Sequence, residues 1–164
     1  MITKPSRMAH HGALPAVRER LDASATGNAR AGTIALFAPS GLVSVRGVLD
    51  ATHADGAGGR FALDARGIDG SADPLVRILR DGGFDAAIDL RLRAGDLVLG
   101  DGDAATLRAH DVRVAVDAGA LTLRGAVSSD GSGGGRVGLY AGGDVVLDAS
   151  ARITARATLA GSEG

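Results

Sequence analysis

Acidic and basic side chains alternate with aliphatic ones along two short segments of the chain. Asp89, Arg91 and Arg93 occupy every second position of the first segment, and Asp111 and Arg113 do so in the second. A strand turns successive side chains to opposite faces, so each set would share one exposed face of a sheet. Polysaccharide lyases and hydrolases place two carboxylates in a cleft to act as general acid and base. No cleft is indicated here, and mixed charge is typical of any solvated sheet face, so no catalytic residue is assigned.

Two pairs of arginines occur at matched positions of a repeated pattern. Arg46 corresponds to Arg124, and Arg60 corresponds to Arg136. A guanidinium matches the planar geometry of a carboxylate, so a repeated surface arginine is one way to bind acidic glycans. A soluble outer face is the alternative interpretation.

Metal and phosphate sites are suggested only faintly. Asp101-Gly102-Asp103 resembles a calcium-binding turn, but it occurs once, and such sites need several oxygen ligands. Gly56–Gly59 and Gly131–Gly135 are glycine-rich like phosphate loops. Neither glycine run ends in Lys followed by Ser or Thr, nor is followed by a predicted helix, so both are interpreted as corner loops.

The four histidines do not form a pattern typical of a metal site. His10 and His11 are adjacent, while His53 and His110 are far away in the sequence. A site needs several ligands that converge, so these residues are interpreted as loop or solvated histidines. We predict no catalytic, cofactor-binding or metal-binding residues.

Short apolar runs separated by glycine-rich breaks predict the elements that carry these residues. The runs Leu121–Leu123, Val137–Leu139 and Val145–Leu147 are separated by breaks too short for a packed crossover helix. A chain that coils, with each short strand stacked on the one a turn earlier, satisfies this pattern. The sequence therefore predicts an all-β parallel β-helix, or β-solenoid.

Three internal matches support one structural unit used repeatedly. The segment Gly58–Ala65 matches Gly134–Ala141 with the same alternation of apolar positions. Because a slip of one residue would invert the buried set, preserved phase indicates a repeated unit. We expect copies separated by four turns of about 20 residues, and six to eight turns in all. The other two matches pair Gly41–Gly47 with Gly119–Gly125, and Gly32–Gly41 with Gly135–Asp144, which places Phe37 opposite Tyr140.

Three segments are expected along the chain. Residues 1–30 are predicted to be an irregular or helical cap, residues 31–158 the solenoid, and residues 159–164 a frayed end. One helical insertion is predicted near residues 73–82, with Asp73 as its cap, Pro74 at its first position and Gly82-Gly83 at its end. We expect this helix to project from the solenoid with its apolar face on the flank.

Composition narrows the function classes. The chain has 164 residues, a formal net charge of −1, no cysteine, 26 glycines and only 2% aromatic residues. A net charge near zero supplies no global basic field for nucleic acid. No apolar run reaches the roughly 18 residues of a membrane span. We therefore predict neither a nucleic-acid partner nor a membrane-spanning segment.

The segments Arg91–Gly102, Asp117–Val127 and Asp130–Thr158 resemble the repeat region of filamentous haemagglutinin-type exoproteins. The resemblance spans residues 32–158 and implies a right-handed parallel β-helix in a large bacterial surface adhesin. It further implies an extracellular location, a longer solenoid chain, an outer-membrane transporter of the two-partner route, and a glycan or protein receptor on another cell. It implies the shaft of such a protein, since no export signal or effector tip is recognised.

The sequence thus favours a non-enzymatic shaft segment of a secreted or surface adhesin that presents loops for adhesion. Two alternatives remain open. One is a carbohydrate-active β-helix enzyme, and the other is a trimeric solenoid of the kind found in phage tail fibres.

Overall fold

A computed structural model describes residues 16–17, 20–27, 29–54, 58–100 and 106–158. The sites suggested at His10-His11 and Asp101–Asp103 lie outside the described residues, as do most of the predicted N-terminal cap and the predicted frayed end.

The chain forms a β-solenoid of about 5 turns with one short helix, which confirms the predicted fold class. All strand pairs are parallel. Parallel strands joined by crossovers in one sheet are right-handed in nearly all proteins. The elements, in chain order, are β1 Ala16–Val17, β2 Leu21–Asp22, β3 Thr33–Val45, β4 Leu49–Asp50, β5 Arg60–Ile68, α1 Asp73–Asp81, β6 Ala87–Leu92, β7 Leu97–Leu99, β8 Thr106–Arg108, β9 Asp111–Val116, β10 Leu121–Leu123, β11 Ala126–Ser128, β12 Gly131–Ser132, β13 Arg136–Ala141, β14 Val145–Leu147, β15 Arg152–Thr154 and β16 Ala157–Thr158.

Three sheets form the walls of the solenoid. The first sheet has the strand order β1-β3-β5-β6-β9-β13, the second β7-β10-β14 and the third β8-β11-β15. Two short pairs, β2 with β4 and β12 with β16, lie outside these three sheets. Each coil therefore runs along three walls in turn instead of folding back on itself. This follows because the apolar runs are short and the glycine-rich segments between them change the direction of the chain.

The register of the first sheet shows how long a coil is. Phe61, Ile88, Val112 and Val137 occupy one column, and their spacings along the chain are 27, 24 and 25 residues. The matched segments at Phe61 and Val137 are therefore three coils apart, and the predicted four turns of about 20 residues are wrong. The predicted phase, in which Phe61 and Val137 occupy equivalent positions of the repeat, is confirmed. A coil is longer than expected because it contains several short strands, or helix α1 in place of one, and the loops that join them.

The predicted alignment of the two exposed aromatic residues is also confirmed. Phe37, Asp64, Arg91, Ala115 and Tyr140 are consecutive register partners in the first sheet. Phe37 is 72% exposed and Tyr140 is 55% exposed, so this column faces solvent. The neighbouring columns of aliphatic residues face the bore, as the alternation requires.

The bore is filled mainly by aliphatic side chains, each contributing about 1.5–3 kcal/mol when fully buried. Two rings interrupt this pattern: Phe61 and Phe84 are both buried and meet edge to face, with ring centroids 5.7 Å apart. The fully buried large residues are Phe61, Phe84, Leu49, Leu63, Leu79, Ile88, Leu90, Leu92, Leu121, Leu123, Val76 and Val112.

Helix α1 is part of the wall and does not project from it, which corrects the predicted placement. It packs against β4 of one coil and β8 of another, where a strand of the third sheet would otherwise lie. Leu75, Val76 and Leu79 are buried. Burying this apolar stripe explains why the helix replaces a strand without opening the bore.

The start of α1 differs from the predicted punctuation, whereas its predicted end at Gly82-Gly83 is confirmed. Ala72, and not Asp73, is the N-cap residue, and its side chain makes no capping bond. The Asp73 carboxylate instead accepts a hydrogen bond from the Gly100 N–H of a later coil at 3.3 Å. At the other end, Gly83 has a φ of +74°, and the Phe84 N–H donates to the Leu79 carbonyl at 3.4 Å. A left-handed glycine with this bond is a common helix stop.

Candidate functional site

The outward face of the first sheet contains a shallow groove of about 280 Å³. It crosses β5, β6, β9 and β13, so four successive coils contribute to it. The groove is lined by Arg60, Ala87, Ile88, Asp89, Asp111, Val112, Arg113, Arg136, Gly138 and Tyr140. Stacking thus brings together Asp89, Asp111 and Arg113 from the alternating segments with the repeated Arg60 and Arg136.

Small residues make the floor of this groove. Ala87 lies between Arg60 and Asp111 in one column, and Gly138 lies beside Arg113 in the next. The Tyr140 ring lies over Gly138, because a Cβ atom at position 138 would be 2.8 Å from Cε2 of the ring. Glycine therefore lets the ring lie across its own strand instead of standing upright.

Arg113 is held between an aromatic ring and a carboxylate. Its guanidinium carbon lies 5.5 Å from the centroid of the Tyr140 ring, within the range of a cation–π contact. Its Nη1 atom lies 3.8 Å from Oδ2 of Asp89. Both partners orient Arg113 across the groove and leave it only partly neutralised.

Arg60, Asp111 and Arg136 keep their charges available. Within the described part of the chain, no hydrogen bond or ion pair is made by the guanidinium of Arg60 or Arg136, or by the Asp111 carboxylate. Arg136 and Asp111 are direct register partners, yet their side chains do not pair. The column therefore presents an alternation of positive, negative and positive groups to solvent.

Arg91 and Arg93 do not join the groove, although the sequence aligns them with Asp89. Nε of Arg91 donates to both carboxylate oxygens of Asp117, at 3.1 and 3.0 Å. Arg93 makes a bidentate pair with Asp64, at 2.6 and 2.8 Å. The hydrogen bond from Arg93 holds the pKa of the Asp64 carboxyl below its ordinary value, and the bond that Arg91 donates to Asp117 raises the pKa of Arg91.

These pairs belong to a set that the sequence reasoning missed. Each joins one coil to the next, and the partners are separated by about one coil length. The ion pairs of this kind are Arg20–Asp50 at 2.6 Å, Arg93–Asp64 at 2.6 Å, Arg91–Asp117 at 2.9 Å, Arg124–Asp148 at 3.5 Å and Arg113–Asp89 at 3.8 Å. Knowing the coil length of 24–28 residues would have revealed them, because the two charges of each pair are separated by the local coil length or by two residues more.

The other predicted pair of repeated arginines is not brought to the groove. Nε of Arg46 donates to the Ser44 hydroxyl at 3.3 Å. Arg124 lies in the loop after β10 and pairs with Asp148. Matched positions in the repeat therefore did not give matched surroundings.

His53 acquires a partner that its position in the sequence did not suggest. Its Nε2 atom lies 3.1 Å from Oδ2 of Asp85 in a later coil, while Nδ1 is buried without a partner. His110 is exposed, and its backbone N–H donates to the Asp85 carbonyl at 2.7 Å. No cluster of three or more metal-ligating side chains occurs among the described residues.

The loop Gly131–Gly135 leads into strand β13 and not into a helix. Phosphate loops bind through the N–H groups of a following helix, so this loop lacks the geometry of one. The run Gly56–Gly59 is described only at Gly58 and Gly59.

A larger cavity of about 410 Å³ lies beside the entry to α1. It opens where the chain bends at Gly70 instead of pairing with β7. Its charged lining residues are Arg66 and Asp96, and the Asp96 carboxylate already accepts the Ala120 N–H at 2.8 Å. The smaller groove on the first sheet has the richer set of unpaired charges and is the better candidate.

Comparisons with known proteins add no identification. No family profile, no curated protein and no solved structure matches the chain. Within the ranges that the structure describes, no helix has the length and apolar character needed to cross a membrane.

Proposed function

We propose that this chain is a segment of the shaft of a secreted or surface-exposed bacterial adhesin. The observation that carries the proposal is the first sheet, in which β3, β5, β6, β9 and β13 stack in a constant phase along the solenoid. Each of these strands except β13 pairs with strands of the coils on either side, so a load along the axis passes through every interface between neighbouring coils.

The mechanism is mechanical and multivalent. At about 4.8 Å for each coil, five coils form a column roughly 24 Å long. Ion pairs between successive coils on the outer face reinforce the same stacking direction. Repeating one outer face along such a column multiplies weak contacts with a partner surface, which raises the avidity without strengthening any single contact.

The surfaces available for adhesion differ from those expected. The helical insertion buries its apolar stripe and exposes only Pro74, Arg77, Arg80 and Asp81. The first sheet, with its exposed aromatic column and unpaired arginines, is the larger recognition surface. The proposed extracellular location, the transporter and the continuation into a longer solenoid are supported by the resemblance to filamentous haemagglutinin-type repeats.

Two measurements test this proposal. Antibodies to the folded protein should label intact cells of the source bacterium without permeabilisation. Beads coated with the folded protein should adhere to epithelial or bacterial cells more than beads coated with the same protein unfolded in urea. Labelling only after permeabilisation, or equal adhesion of both bead preparations, would contradict the adhesin.

One observation favours a second candidate, a carbohydrate-active enzyme. Asp89 and Asp111 line the same groove on adjacent strands, offset by two positions, which places their Cα atoms about 8 Å apart by strand spacing and rise. Glycoside hydrolases use carboxyl groups about 5–9.5 Å apart, a range that side chains on Cα atoms at this distance can span. Incubation with acidic and neutral polysaccharides should then release new chain ends, and Asp89→Asn or Asp111→Asn should abolish the release. Absence of release from every substrate would remove this candidate.

A further inference from the structure

We propose that the groove on the first sheet binds an acidic saccharide that carries carboxylate groups, such as a uronic-acid oligosaccharide. This inference names a partner chemistry for the proposed adhesin and rests on that function for its biological use. The binding chemistry itself follows from the groove residues.

The charges of one column set the spacing of the ligand groups. Arg60, Ala87, Asp111 and Arg136 are consecutive register partners. Three strand spacings place the Cα atoms of the two arginines about 14 Å apart. A guanidinium binds a carboxylate through two parallel hydrogen bonds, so each end of the column fits one ligand carboxylate.

The carboxylate in the middle of the column selects a saccharide over a uniform polyanion. Asp111 has no partner among the described residues and would repel a third ligand anion placed between the arginines. It can accept hydrogen bonds from uncharged hydroxyl groups. The required ligand therefore alternates carboxylate, hydroxyl and carboxylate groups, which is the pattern of an acidic sugar chain.

Tyr140 and the small floor residues supply the apolar contact. The ring lies over Gly138 at one side of the groove and remains 55% exposed. Aromatic rings offer a rigid apolar surface and, in tyrosine, a hydroxyl at the edge. Ala87 leaves room above the sheet for a sugar ring, beside the Tyr140 ring that covers Gly138.

Calorimetric titration with a hexamer of galacturonic acid tests this proposal, with the fully methyl-esterified hexamer as the matched neutral probe. The full chain should bind the acid, and the ester should bind at least tenfold more weakly. Arg60→Gln combined with Arg136→Gln should weaken binding of the acid at least tenfold. Arg108→Gln removes an exposed arginine of the third sheet and should leave binding unchanged. Circular dichroism and the urea midpoint confirm that each variant is folded.

Asp111→Ala, which removes both acceptor oxygens, separates specific recognition from general attraction between charges. If Asp111 accepts ligand hydroxyl groups, the variant should bind the acidic hexamer more weakly, although its groove is more positive. Tighter binding by this variant would overturn the proposed role of Asp111.

Three further results would overturn the groove proposal: no binding of the acid at millimolar concentration, equal binding of acid and ester, or an equal effect of Arg108→Gln. Its failure is distinguishable from failure of the adhesin. Coated beads that adhere to cells equally well with the double arginine variant would retain the adhesin and remove the groove as its receptor site. Hexamer binding by a protein that never reaches the cell surface would retain the groove as a saccharide site and contradict the adhesin proposal.

Discussion

Strands β10 and β14 are direct neighbours with aliphatic residues at the same inward positions, but only one is buried. Leu121 pairs with Val145, and Leu123 pairs with Leu147. The two leucines of β10 are 0% and 1% exposed, whereas Val145 is 46% and Leu147 is 55% exposed. β10 has β7 on its other side, while β14 ends the described second sheet. An inward side chain is buried only when coils lie on both sides of it.

The first sheet shows the same contrast. Val112, Val114 and Val116 of β9 are buried between two coils. Their partners in β13 are half-buried, although they follow the same alternation. Stability in such a stack is nearly a sum of terms between neighbouring coils, so the last described coil (residues 136–158) should be less stable than the interior coils.

The largest expected effect comes from truncating the matched leucines. Leu123→Ala removes a fully buried side chain and should lower the free energy of unfolding by about 2–5 kcal/mol. Leu147→Ala removes a half-exposed one and should cost about 1 kcal/mol or less. Urea denaturation followed by circular dichroism measures both. Equal losses for the two variants would show that the difference in burial does not control stability.

A second test compares two glycines with the same backbone conformation. Gly100 and Gly133 have φ angles of +87° and +86°, which an L-residue adopts at a cost of about 1–2 kcal/mol. A Cβ atom at Gly100 would be 2.2 Å from the Gly125 nitrogen of the next coil, whereas nothing lies within 4 Å at Gly133. Gly100→Ala should therefore cost about 2–3 kcal/mol or more by overpacking, and Gly133→Ala only the conformational strain.

The urea midpoints of the two glycine variants, measured in parallel, check this difference. An equal shift for both would mean that the coils separate easily at Gly100, contrary to the close stacking of neighbouring coils.

The smallest expected effect is the response of the last described coil to acid. The Asp130 carboxylate accepts the Arg156 N–H at 2.6 Å and the Thr154 hydroxyl at 2.8 Å, and these bonds, led by the one from the Arg156 N–H, hold its pKa below the ordinary value. A lowered pKa in the folded state stabilises the fold above the unfolded value of about 3.9. That contribution is lost as the pH falls through the folded pKa.

Hydrogen-exchange protection of the Arg156 amide should therefore fall between pH 5 and pH 2, ahead of protection in β9. Asp64 also has a lowered pKa, because of the hydrogen bond from Arg93, so the urea midpoint of the whole chain should fall in the same window. In Asp130→Asn, the amide oxygen still accepts a hydrogen bond but does not titrate, so protection at Arg156 should be nearly independent of pH. A variant that keeps the wild-type pH response would exclude Asp130 as its cause.

Much of the fold could be predicted because its strongest signal is local. Alternation in β9 and β13 identifies which side chains face the bore, and it correctly placed Phe61 with Val137 and Phe37 with Tyr140. Coil length could not be read in the same way. Strand phase depends on side chains two positions apart, whereas loops between strands change length freely without altering that phase.

The groove was predictable only in part. The charged residues were recognised individually, and the repeated positions of Arg60 and Arg136 were noted. Which charges remain unpaired was decided by neighbours from other coils: Asp64 and Asp117 pair with Arg93 and Arg91. These partners are 29 and 26 residues away, so only the observed coil length brings them together.

The sequence by itself determined that short strands alternate between bore and solvent, that they repeat in one phase, and that one helix interrupts them. These properties depend on residues a few positions apart. The tertiary structure alone decided that the helix lies in the wall, that Leu123 is buried while Leu147 is exposed, and that Arg60, Asp111 and Arg136 share a groove. Each of these depends on which coil lies above and below, because burial and charge pairing are set by neighbours across the stack.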